Sequence, residues 1–355
     1  MAVKETGKIL YLDCSSGLSG DMFVGAMLDL GVDPQMLEQT LHTLPLDGYS
    51  IRISRVMKSA LNVCDFDVIL DGPENGLDHD MKYLYGHEQK AAHASSSEQE
   101  HAHEHEHMHE QEQEHAHEHA HMHEQEHAHI HEQEHAHENN HDYEHEHNYA
   151  HDHQHAHDHD HAHNHEPGYD HAHDHDHGHT HPHVHRNLQD ITDILKGGAL
   201  SAHALELALR VFTIVAQAEA HVHGKTIDEV HFHEVGAVDS IVDIAAAAIC
   251  LDELKIDRVV LTHLTDGTGT VRCQHGILPI PVPAVAQIAS AHALPMHIAP
   301  IRGELVTPTG AALAAAIRTD HHLPEQFEIR KIGMGAGKRD YETAGFLRAM
   351  LIEAC

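Results

Sequence analysis

The chain has 355 residues and a formal net charge of −36 at pH 7, long enough for two ordinary domains. Between His101 and His185 lie 34 of the 49 histidines and 21 of the 57 acidic residues, with no Lys or Arg, so this stretch carries −21 and the remainder −15. An acidic chain without a basic stripe argues against nucleic acid as a partner, and no window reaches the ~18 apolar residues of a membrane span.

The elements follow in chain order. Ile9 to Leu12 is a short apolar run that stops at Asp13-Cys14-Ser15-Ser16-Gly17-Leu18-Ser19-Gly20, and a helical pattern runs from Asp21 to Gly31. Asp33-Pro34 opens a second helix, with Asp as N-cap and Pro at the first helical position. Tyr49 to Val56 and Val63 to Leu70 read as strands, closed by Asp71-Gly72-Pro73. From Glu74 the chain turns low-complexity, with units such as His-Glu-Gln-Glu-His-Ala-His at 123–129 and 131–137. Alternating His with Glu, Asp or Ala leaves no apolar face to offset the entropy of ordering, so disorder is expected there without metal.

Order resumes at Asn187, which caps a helix over Leu188 to Lys196, and Ser201 caps a longer one to Gly224. A strand-like Glu229 to His233, an apolar helix from Asp239 to Leu254 and a buried strand from Ile256 to Leu264 come next. A Pro-rich loop at Leu278 to Pro283, a small helix, a Thr307-Pro308-Thr309-Gly310 turn into a helix at Ala311 to Ile317, and a flexible glycine loop at Gly333 to Asp340 complete the reading. The expected fold is mixed, α/β or α+β: an ordered segment 1–73, a His-rich insertion 74–186 and a main segment 187–355. Five scattered cysteines with no C-x-x-C pair argue against a disulfide framework or zinc ribbon, and with no apolar leader the expected compartment is the reducing cytoplasm.

The histidine tract is the loudest chemical signal. Closely spaced imidazoles, among them His101, His103, His105, His151, His153, His155, His171, His173 and His175, give many overlapping weak sites for divalent first-row metals. A neutral, repeat-expanded linker is the plain alternative. Without fixed geometry the tract suits a reservoir rather than catalysis.

The segment His231-Phe232-His233-Glu234-Val235-Gly236-Ala237-Val238-Asp239-Ser240-Ile241-Val242-Asp243 is more informative. On an extended chain His231 and His233 share a side, Gly236 permits a turn, and Asp239 and Asp243 share a helix face. Two imidazoles with Glu234 or an Asp make a mixed N/O metal site; an N-capped helix with solvent-facing histidines is the alternative. His221 and His223 are explained by the helix C-terminus alone. Asp13 and Asp21 flank a strand-to-helix turn that could hold Mg²⁺ or Mn²⁺, the basis of a phosphohydrolase reading, or serve only as a turn. Ser19 and Gly20, then Thr307, Thr309 and Gly310 with Glu304 ahead of them, sit at helix starts that can receive a phosphate or carboxylate. Lys338 and Arg339 add two cations in an acidic protein, and His275-Gly276 is a further candidate.

Taken together, Tyr11–Phe23, Glu229–Asp243, His275–Ala284, Gly303–Ala311 and Gly335–Asp340 resemble the LarC-type nickel-insertion family, the nickel-pincer cofactor biosynthesis proteins. The resemblance implies insertion of Ni²⁺ into pyridinium-3,5-bisthiocarboxylic acid mononucleotide, with CTP hydrolysis and Mg²⁺ or Mn²⁺, to make the cofactor of lactate racemase-type enzymes. Soft thiocarboxylate sulfur suits Ni²⁺ in a square-planar setting. On this reading His231, His233 and Glu234 do metal transfer or base work, Asp239 and Asp243 assist, and the Thr307–Gly310 loop with Lys338 and Arg339 faces the phosphate. The family pattern continues into a nucleotide-binding half beyond Cys355, so this chain is expected to be either the N-terminal product of a frameshifted gene or one half of a split gene with a separately encoded partner; an apo nickel-pincer enzyme and a second copy of this chain are further expected partners. A nickel or zinc storage protein without catalysis is the competing reading.

Overall fold

The computed structural model describes residues 7–71, 81–85, 186–232 and 235–355. The histidine tract lies outside the described residues, as do His233 and Glu234. The fold is mixed α/β, built on one seven-stranded sheet.

The first strand, β1 (Ile9–Cys14), runs into α1 (Gly20–Asp29) and α2 (Pro34–Leu41). The hairpin of β2 (Tyr49–Lys58) and β3 (Leu61–Leu70) follows, then a short helix, α3 (Met81–Tyr85). After the undescribed residues come α4 (Leu188–Gly197), α5 (Ala202–His223) and the long α6 (Val238–Leu254). The strand β4 (Arg258–Thr268) leads into a separate two-stranded ribbon, β5 (Thr270–Cys273) and β6 (Gly276–Pro279). The chain ends with α7 (Pro283–Ala291), β7 (Met296–Arg302), α8 (Pro308–Ile317), β8 (Phe327–Ala336) and β9 (Phe346–Ala354).

Strand order in the main sheet is β2-β3-β8-β9-β1-β4-β7, so strands from both ends of the sequence interleave in one layer. β1 pairs with β4, β4 with β7 and β3 with β8 in parallel, while β9 runs antiparallel to both β1 and β8. The carboxyl ends of β1, β4, β7 and β8 therefore share one edge, where ligands of open α/β sheets gather.

Alternation along β1 sorts the two faces. Leu10, Leu12 and Cys14 join the large core with the helices, whereas Ile9 belongs to a smaller cluster with Val260, Met350 and Ile352. α6 is buried from Ile241 to Leu251 except at Asp243, and its four consecutive alanines, Ala245–Ala248, let neighbouring helices approach closely. Capping holds the helix starts as the sequence implies: Asn187 and Asp190 form a reciprocal capping box, and Asp33 accepts from Gln35 N at 2.9 Å.

Three local expectations fail. Glu229 to Phe232, the described part of the expected strand, is not one: Ile227–Glu229 is a 3₁₀ turn held by Thr226 and Glu229, and Phe232 only bridges Arg186 while its ring packs 6.3 Å from Phe212. The Pro-rich loop starts later than expected, because Leu278 and Pro279 belong to a strand, Gly276–Pro279, that pairs with Thr270–Cys273. The glycine-rich stretch is not a flexible loop, since its first part is β8. A Cβ on Gly335 would lie 1.9 Å from the Met22 carbonyl oxygen, and one on Gly333 2.2 Å from that of Ala26. These glycines let α1 lie directly on the sheet.

Candidate functional site

The loops leaving the carboxyl edge are stitched together by their backbones. Leu18 donates to Leu305 O at 2.9 Å and accepts from Thr307 N at 3.1 Å, and Thr343 Oγ1 bonds Ser16 Oγ at 3.0 Å. Gly17 and Gly310 are needed for this: a Cβ on either would sit about 2 Å from a carbonyl oxygen, of Leu305 and Leu18 respectively. The loop after β1, the loop between β7 and α8 and the loop after β8 thus form one rim.

Asp243 joins that rim from α6. A Cβ on Gly20 would come within 2.6 Å of Asp243 Oδ2, so a glycine at this position lets the carboxylate rest against the N-terminus of α1. Two sequence candidates, Gly20 and Asp243, are therefore brought together. Asp239, one turn earlier in α6, has its Oδ1 shielded from solvent. His231 is exposed at the start of the same segment.

Other candidates are held by local partners. Asp13 accepts from Ser15 and pairs with Arg348 across the β1–β9 ladder; burial alone would raise its pKa, but these partners hold it below the usual carboxylate range. Asp21, in the first turn of α1, accepts from Ser19 Oγ. Thr307 caps α8 by accepting from Gly310 N at 3.1 Å, which occupies an amide expected to face an anion, and Thr309 is buried. Lys338 bonds Asp65 at 2.5 Å and lies 3.3 Å from Asp67, and Arg339 pairs with Glu304. Both cations expected to face a phosphate are thereby balanced by carboxylates.

Beneath the rim lies a buried polar cluster that sequence reasoning missed. Asp266, near the end of β4, is 0% exposed, and its Oδ1 accepts from the backbone N–H groups of Gly267, Leu305 and Val306 at 2.8–3.2 Å. Its Oδ2 has no hydrogen-bond partner among the described residues. Burial pushes its carboxyl up to about 6, against the pull of those three donors and with help from the nearby Glu304 charge. Alongside, Glu304 N donates to Tyr85 Oη at 3.0 Å, Tyr85 and Tyr341 hydroxyls meet at 2.5 Å, and the Tyr341 ring lies on Gly303. The signal in the sequence is an Asp-Gly pair, Asp266-Gly267, shortly after the apolar run Val259–Leu261.

The sequence pattern of the nickel insertion protein family matches residues 10–354. The chain belongs to that family, a class defined by handling one metal ion. Among its relatives, the pyridinium-3,5-bisthiocarboxylic acid mononucleotide nickel insertion protein of Alkaliphilus metalliredigens (strain QYMF) is 41% identical over 97% of this chain and 60% of its own length. Proteins of the same description from Acetivibrio thermocellus and Clostridium acetobutylicum are 30% and 35% identical over 97% and 98% of this chain. The chain spans about 60% of the length of the first two of these relatives. No solved structure matches it. Among the described residues, no helix is long and apolar enough to cross a membrane.

Proposed function

We propose that this chain inserts Ni²⁺ into pyridinium-3,5-bisthiocarboxylic acid mononucleotide, yielding the nickel-pincer cofactor of lactate racemase-type enzymes. The observation that carries this reading is the contact of Asp243 with Gly20, which joins the His231–Asp243 segment to the rim at the carboxyl edge. The substrate offers two thiocarboxylate sulfurs, which suit Ni²⁺, on either side of a ring carbon. Metallation at that carbon replaces C–H by C–Ni and releases one proton. His231, with His233 and Glu234 beside it in sequence, takes the ion or that proton, and Asp239 and Asp243 balance the ion's charge as it passes. A carboxylate already rests at the N-terminus of α1, so a phosphate reaching Ser19 and Gly20 would share a cation with Asp243 rather than displace it.

For CTP with Mg²⁺ or Mn²⁺, which the family resemblance implies, three of the candidate residues of this chain are already engaged by counter-charges. Lys338 and Arg339 are balanced by Asp65, Asp67 and Glu304, and Asp13 by Arg348. We place the histidine tract as a nickel reservoir, and the cytoplasm as the compartment of the reaction.

Cells dependent on this chain for lactate racemase maturation test the division of labour. Asp243→Ala is expected to lower maturation about 10–100-fold even in excess nickel. Deleting residues 101–185 should impair it only when nickel is scarce. Loss of maturation on that deletion in abundant nickel, or normal maturation by Asp243→Ala, would overturn the assignment.

A further inference from the structure

The ribbon β5–β6 leaves the carboxyl edge directly after β4, and its tip is Cys273-Gln274-His275-Gly276. Gly276 has φ +94, a conformation that closes a two-residue turn, and nothing lies within 4 Å of where its Cβ would be. The turn holds Cys273 Sγ and His275 Nδ1 4.0 Å apart. Facing it is the last turn of α5, where Glu219 and His223, four residues apart, share one helix face. Glu219 Oε2 and His223 Nε2 are 3.3 Å apart, and His223 Nε2 is shielded from solvent. The two pairs meet through their imidazoles, whose ring centroids are 4.9 Å apart with a 35° tilt.

We propose that Glu219, His223, Cys273 and His275 form a second metal site, for a divalent ion of the Ni²⁺, Co²⁺ or Zn²⁺ class. Two nitrogens, a carboxylate oxygen and a thiolate match the donor preference of these ions and not of Mg²⁺ or Ca²⁺. The Glu219–His223 separation matches the ~3.3 Å between two ligands that each lie about 2.0–2.1 Å from a tetrahedral ion. The Cys273–His275 separation is a few tenths of an ångström wider than such an ion requires, and the ribbon tip must close on α5 to complete the set.

Among the described residues, the trio of ligand atoms already within 4.8 Å of one another is elsewhere, at Asp320, His321 and His322. That trio is the weaker candidate. Asp320 Oδ1 already accepts from two backbone N–H groups and Oδ2 from Arg258, and both histidines are exposed. The α5–ribbon site instead draws on two elements distant in sequence and includes a sulfur. It differs from the His231–Asp243 segment in ligands, and it stands whether or not the chain performs the insertion.

A thiolate ligand gives the site a signature that the histidine tract cannot produce. The reduced full chain, titrated with Co²⁺ past saturation, should develop a thiolate-to-metal charge-transfer absorption that levels off at one ion per chain. Cys273→Ser should abolish it and Cys355→Ser should leave it intact. His275→Gln and His223→Gln should weaken binding at this band about 10-fold or more, with unchanged far-ultraviolet circular dichroism showing that the variants fold. Ni²⁺ should compete for the same band. Absence of the band at saturation, or its persistence in Cys273→Ser, would overturn the site.

Discussion

Ionising Asp266 puts a charge in the protein interior on a carboxyl whose second oxygen has no hydrogen-bond partner among the described residues. Its carboxyl is held up at about 6, from an ordinary value of 3.8, so the folded state keeps a proton that the unfolded chain has released. Stability from this group is thus fully present below pH 3.8 and is lost as pH rises through about 6. The expected loss between pH 4 and pH 7 is about 2 kcal/mol. Asp266→Asn keeps an oxygen for the three N–H donors and carries no charge, so it should remove this component. Urea unfolding of both proteins at the two pH values checks it, since the titration of the other groups is common to both. Equal pH dependence in the two proteins would show that Asp266 does not titrate in this window. The same residue marks a limit of reading the sequence. A single Asp in a strand gives no hint of the three amides that converge on it, because two of them arrive from Leu305 and Val306, 39 and 40 residues away.

At the scale of elements, local chemistry was legible and long-range pairing was not. The caps at Asp33, Asn187 and Ser201 stand where the residue types place them, because a cap is decided within a few positions. β8 was misread for the opposite reason. Its glycines answer to the backbone of α1, more than 300 residues earlier in the chain, and within their own neighbourhood they look like a loop. Gly335→Ala should therefore destabilise by about 3 kcal/mol or more, through a clash of Cβ with the Met22 carbonyl. Gly48→Ala is the comparison: with φ +82 and nothing within 4 Å it should lose only about 1–2 kcal/mol, from backbone strain alone. Equal losses in thermal unfolding would mean that α1 does not lie on the sheet as described. Within the proposed site, the helix bearing Asp239 and Asp243 was legible, while its approach to Gly20 required the fold.

On the scale of the whole molecule, one sheet draws strands from before and after the histidine-rich stretch, so the residues gathered at its carboxyl edge come from three loops and α6. Motifs at Tyr11–Phe23, Glu229–Asp243 and Gly303–Ala311 were readable one at a time, and their proximity is a property of strand order. On the proposed reading the rim and the histidine tract have different tasks: the rim would position the mononucleotide and the metal, and the tract would supply the ion. The most direct measurement is the mass of the product. The chain would be incubated with the bisthiocarboxylic acid mononucleotide, Ni²⁺, CTP and Mg²⁺, and the small molecules analysed by mass spectrometry, beside Asp243→Ala. The expected product is one in which Ni²⁺ has replaced the ring proton, formed by the native chain and reduced about 10–100-fold in the variant. An unchanged mononucleotide with the native chain, or equal nickelated product from both proteins, would contradict it.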